Sequence, residues 1–106
     1  MLFDDWKDKS PLKISSTLLW DYDLSTFDWK KGKLIVVQRI VERGWDNDFY
    51  AAIQLYGGLE AFIEIVKQVP YLNERDMNFV SKAFLIDLND LQCYKNKQYR
   101  EQLLNS

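Results

Sequence analysis

Histidine is absent from this chain of 106 residues, and cysteine occurs once, at Cys93. Without histidine there is no Ser-His or Cys-His nucleophile pair, no imidazole metal ligand and no ordinary proton shuttle near neutral pH. A lone cysteine excludes an intramolecular disulfide and a zinc site built on cysteines. Glycines are few, at Gly32, Gly44, Gly57 and Gly58, and form neither a phosphate loop nor a dinucleotide fingerprint. No uncharged apolar run is long enough to span a bilayer. The opening Met1-Leu2-Phe3-Asp4-Asp5 lacks the basic and then apolar pattern of a signal peptide, so a reducing cytoplasm is the expected compartment. Excess positive charge is missing too: the net charge is −2 and the pI about 5.1, which argues against nucleic acid as the first choice of partner.

What is present describes a folded chain. Hydrophobic residues make up 47%, charged residues 28% and aromatics 15%, a balance unlike disorder. The length fits one domain, residues 1–106. The first 17 residues read as a loosely held lead-in. Leu18-Leu19-Trp20 reads as a packed extended segment breaking into Asp21-Tyr22-Asp23, after which Ser25 or Thr26 is placed to cap a short turn through Phe27 and Trp29.

Helical periodicity starts at Leu34. Leu34, Val37 and Val41 share a face widened by Val36 and Ile40, and Gly44 stands where a C-terminal cap belongs. A second helix is expected from an Asp46 or Asn47 cap to Gly57, with Phe49, Ala52, Ile53 and Tyr56 as its inner stripe. After Gly57-Gly58, Leu59, Phe62, Ile63 and Val66 repeat the spacing up to Pro70. Asn73 opens a fourth helix with Asp76 as capping partner and Met77, Val80 and Phe84 inward. Asp87 caps a restart, and a polar terminal helix covers residues 95–106. The fold expected is all-α, a small bundle of about five helices with a helix-turn-helix-like central part.

No motif carries catalysis. Ser10-Pro11-Leu12-Lys13 has the Ser-x-x-Lys spacing, but it lies in a polar lead-in without partner motifs. Calcium loops started at Asp21 or Asp87 lack the required glycine and closing glutamate. Carboxylate pairs remote in sequence stay open, yet helix capping accounts for most of these aspartates. The expectation is therefore no enzyme, no metal and no cofactor, with Cys93 a small buried thiol.

Two binding readings remain. Trp20, Tyr22, Trp29 and Trp45, set among acids, are candidate anchors for a partner protein, the alternative being that they close the edge of the core. Arg75, Asn78 and Lys82 on the outer face of the fourth helix are candidate DNA contacts for a helix-turn-helix-like regulator, although Glu74 and Asp76 share that region. Lys30, Lys31, Lys33, Arg39 and Arg43 form a second basic patch. A membrane partner is not expected, and the sequence leaves the oligomeric state open.

Several segments in order, Leu19-Trp20-Asp21-Tyr22-Asp23, Phe27-Asp28-Trp29, Val37 to Gly44, Leu55-Tyr56-Gly57, Asn78-Phe79 and Leu91-Gln92-Cys93-Tyr94, carry a resemblance. The chain resembles a family of small all-α bacterial proteins of unknown function, mostly from the Bacteroidetes. The match runs from about Leu18 to Lys95. Leu91 departs from it, standing where an aromatic is usual, as does the Gly57-Gly58 pair. Members are often encoded beside abortive-infection nucleotidyltransferase-type toxins, so the resemblance implies an antitoxin-like or accessory role.

Overall fold

The structure, a computed structural model, describes residues 1–105. Its helices are α1 (Lys33–Arg43), α2 (Asp46–Leu55), α3 (Leu59–Gln68), α4 (Glu74–Phe84) and α5 (Gln92–Asn105). Single 3-10 turns occur at Trp6–Asp8, Ser16–Leu19 and Leu88–Asp90, and the described residues contain no strand. The fold is thus a small all-α bundle. Ser106, the expected end of the terminal helix, lies outside the described residues.

The apolar stripes become the core. Val36, Val37, Ile40 and Val41 of α1, Phe49, Ala52 and Ile53 of α2, and Phe62, Ile65 and Val66 of α3 are all buried. α3 packs on α1, α2 and α5, while α1 also takes the Ser16–Leu19 turn and α4. Each fully buried large apolar side chain contributes about 1.5–3 kcal/mol. A bend of 102° separates α2 from α3. Gly57 and Gly58 make it, with φ of 97° and 125°, values that a side chain would resist. Among the described residues no single helix is long and apolar enough to cross a membrane.

Gly44 caps the C-terminus of α1 as expected, in extended geometry with φ −77° and ψ 160°. Glycine is required there by crowding, because a Cβ would lie 2.7 Å from the Ile40 carbonyl oxygen. α2 is capped one residue earlier than expected, at Trp45. Leu18 and Leu19 belong to a 3-10 turn, not an extended segment, and no helical turn runs through Phe27 and Trp29. Asn73 does cap α4, its Oδ1 accepting from the Asp76 amide at 2.8 Å, and Asp87 caps Leu88–Asp90 through the Asn89 amide at 2.9 Å.

The lead-in is held far more firmly than the sequence suggests. Phe3 is buried and stacks on Phe49 with ring centres 4.9 Å apart. The Tyr50 hydroxyl donates to Asp5 at 2.5 Å, which pushes the phenol pKa up to about 12. The Gln54 amide group donates to the Ser10 carbonyl at 3.1 Å and accepts from the Leu12 amide at 3.0 Å. Ser15 donates to Asp48 at 2.8 Å. From Phe3 to Leu12 these contacts run in the same direction as α2, from Phe49 to Gln54, before Ser15 returns to Asp48 at its start.

Candidate functional site

Three polar ties fix the surface on which the aromatic residues sit. The first joins the acidic knot to α1. Arg39 reaches Asp21 with both terminal nitrogens, the Nη2–Oδ2 contact being 2.8 Å, and its Nη1 also donates to the Leu18 carbonyl at 3.1 Å. Paired, charge-assisted contacts of this kind give geometric specificity. The hydrogen bonds from Arg39 hold the Asp21 carboxyl below its usual range. They also raise the affinity of Arg39 for its own proton.

The second tie joins the Trp29 loop to the end of α2, where the Tyr56 hydroxyl donates to the Trp29 carbonyl at 2.9 Å. Burial pushes the Tyr56 pKa up to about 12, so the hydroxyl stays a donor at every physiological pH. The third is Asp48, only 1% exposed. One carboxylate oxygen accepts from Ser15 at 2.8 Å and the other from the Trp45 amide at 2.9 Å.

On this frame the four aromatic candidates divide. Tyr22 and Trp29 are joined through Phe27 by edge-to-face contacts with ring centres 5.2 and 4.9 Å apart, and the Arg39 guanidinium lies 5.4 Å from the Tyr22 ring centre. Trp29 is half-buried against the core. These two largely serve the fold's edge. Trp20 and Trp45 differ: they are 76% and 78% exposed, the most exposed large hydrophobics in the chain apart from Leu104. Trp20 follows the turn that packs on α1 and precedes the arginine-bound Asp21. Trp45 stands between α1 and α2, its amide fixed by Asp48. Both side chains therefore project from backbones that ion pairs and hydrogen bonds immobilise.

The α4 candidates lie elsewhere. Arg75, Asn78 and Lys82 are exposed, and Asn78 borders a hollow of about 300 Å³ between α4 and α5 that Glu74 and Glu101 also line. Glu74 meets Lys97 across it at 3.6 Å. Carboxylates so placed would repel phosphates. The basic residues around α1 do not form one free patch either, since Arg39 is committed to Asp21.

Asp76 is the odd member of α4. It is 5% exposed, and its Oδ2 has no hydrogen-bond partner. Leaving a buried polar atom unpaired costs about 1–3 kcal/mol. Burial raises the carboxyl pKa against the opposing effects of Arg75 and the Asn73 cap. A raised folded-state pKa gives stability that is fully present below the unfolded value and is lost as pH rises through the folded value. Urea midpoints of wild type and Asp76→Asn at pH 7 and near pH 4 check this. Wild type should gain on the variant at the lower pH, and a constant or reversed difference contradicts the assignment.

Cys93 is buried, and burial pushes its thiol pKa up, which makes it a packing group and not a nucleophile. The described residues contain no cluster of three or more acidic or cysteine side chains arranged to hold a metal ion.

Sequence reasoning missed the Asp21–Arg39 pair, the double-accepting Asp48 and the Tyr56–Trp29 tie, because each joins residues far apart along the chain. A family described as being of unknown function, DUF6922, matches residues 14–66. That span contains all three ties and Trp20 and Trp45, whereas Arg75, Asn78 and Lys82 fall outside it. No curated protein and no solved structure matches the chain.

Proposed function

From a chain that belongs to DUF6922, a family of unknown function, we propose a function read off its own surface: a small cytoplasmic protein-interaction module whose Trp20 and Trp45 anchor a partner protein. The observation that carries this reading is the exposure of those two side chains, 76% and 78%, on firmly held backbone. Tryptophan is normally well buried and is enriched at the energetic centres of interfaces. Anchors held in place before binding lose less entropy on association. The module has no catalytic chemistry of its own in this reading.

The resemblance to small proteins encoded beside toxins supports a finer version. The partner is a nucleotidyltransferase-type toxin, and this chain is its antitoxin-like or accessory subunit. DNA binding through α4 is less favoured, because Glu74 and Glu101 border the hollow next to Asn78.

Pull-down from the native cell at physiological salt, with and without nuclease, tests the proposal. One stoichiometric protein should survive nuclease treatment. Its affinity should fall about thirtyfold for the Trp20→Ala, Trp45→Ala double variant, equivalent to about 2 kcal/mol, with an unchanged melting temperature. Recovery of DNA that is lost on nuclease or added salt would overturn the proposal, as would full affinity in the double variant.

A further inference from the structure

Of residues 1–17 only Phe3 is buried, and its backbone sits in the left-handed region at φ 66°, which residues with a side chain resist. Trp6 and Ile14 pack against the core only in part. Up to Ser15 the sole regular element is the Trp6–Asp8 turn. The rest of the attachment is a row of separate hydrogen bonds. The Leu2 amide donates to the Ala83 carbonyl at 3.0 Å, Tyr50 donates to Asp5, Gln54 bonds Ser10 and Leu12, and the Ser15 amide donates to Asp48. A segment with few buried apolar contacts opens at a lower free energy than the helices it lies on. The lead-in is therefore a strap, able to leave α2 while the core stays folded.

Its last tie reaches the interaction surface. Asp48 is 1% exposed, and while one carboxylate oxygen accepts from Ser15 at 2.8 Å the other accepts from the Trp45 amide at 2.9 Å. With both oxygens engaged, the carboxylate cannot turn without breaking a bond. Once Ser15 departs, one oxygen of a buried anion is left without its donor, a costly state. Turning that oxygen out to water relieves the cost and releases the Trp45 amide.

We propose that residues 1–15 are a strap that sets the state of the Trp45 anchor. Docked, the strap locks Asp48, and Asp48 locks Trp45. Released, it frees both and lowers affinity for the partner by depleting the binding-competent population. Ser15 and Asp48 are positioning residues in this device. Its effect on affinity rests on the protein-interaction reading, while the coupling of strap to anchor does not.

Amide hydrogen exchange in two variants tests the coupling. Gln54 stands at the far end of α2 from Trp45, and Gln54→Ala removes the strap's middle clip without touching Asp48. Exchange at Ser15 and Trp45 should then accelerate together, by about fivefold, with Ile53 in α2 and Val66 in α3 unchanged. Ser15→Pro is more direct, because it deletes the donor at a position whose φ of −59° already suits proline. Trp45 should exchange about tenfold faster, and affinity for the partner should fall about threefold or more while Val66 stays protected. Constant exchange at Trp45 in either variant overturns the proposal. So does acceleration of equal size at Val66, which would make the lead-in part of the core's own unfolding. Coupled exchange with unchanged partner affinity overturns the control of binding, and the nuclease-resistant pull-down then still supports the module. A pull-down that retains no protein sinks the module, and the exchange experiment still decides the coupling.

Discussion

Replacing Phe49 by alanine should lower the unfolding free energy by about 3–5 kcal/mol, the upper range for a core truncation. The reason is where the ring sits. Phe49 is buried in α2 and contacts Phe3 of the lead-in, Phe62 of α3, and Phe79 and Phe84 of α4, with ring centres between 4.9 and 6.4 Å apart. One side chain thus joins the lead-in and three helices. Its loss opens a cavity between elements that cannot all move inward together, so relaxation recovers little. A domain of this size has a total stability of about 5–15 kcal/mol, and the variant should be marginal at physiological temperature. Urea unfolding followed by tryptophan fluorescence measures the loss. A cost near 1 kcal/mol would mean that Phe3 swings into the space, and a Phe3→Ala, Phe49→Ala double variant would then show strong non-additivity.

The helices were legible because their signals are local. Phe49, Ala52 and Ile53 in α2 and Phe62 and Val66 in α3 recur at helical spacing and are all buried, and Asn73 three residues before Asp76 announces the start of α4. Ends that depend on tertiary fit were not legible. α4 stops at Leu85, a non-glycine residue with φ 54°, where the Ile86 amide returns to the Ser81 carbonyl at 3.0 Å and the Ser81 hydroxyl donates to the Ile86 carbonyl at 2.6 Å. Nothing in the residue types marks that turn. The lead-in shows the same limit. Phe3 has no periodic neighbours, and the rings of Phe49, Tyr50 and Phe84 give it its reason to be buried.

The candidate site divides along the same line. Four aromatic residues set among acids drew attention as a group, but their fates depend on contacts across the fold. Phe27 and Arg39 take up Tyr22, and the loop tie to Tyr56 draws Trp29 toward the core, which leaves Trp20 and Trp45 outside. The Asp21–Arg39 pair that orients this surface spans 18 positions, too far for any helix-period or capping rule to suggest it.

Asp48 is the second position of large expected effect. Its carboxylate is buried and bridges the Ser15 and Trp45 amides, so one side chain caps α2 and fastens the lead-in. Hydrogen bonds to a charged group contribute about 1.5–3 kcal/mol each, and an acid in the first turn gains a further few tenths from the helix dipole. Asp48→Ala should therefore destabilise the protein by about 3 kcal/mol, since it leaves two amides without their acceptor. The effect should also be local. Hydrogen exchange at Ser15 and Trp45 should accelerate before the rest of the core, and limited proteolysis should open the segment around Leu12 while α3 and α4 stay protected. Because Trp45 loses its anchor, partner binding through it should weaken even where the variant remains folded. A cost below about 1 kcal/mol with unchanged exchange at both amides would show that water replaces the carboxylate. In that case the exposed tryptophan is held by the backbone of α2 alone, and the lead-in is fastened by its other contacts to that helix.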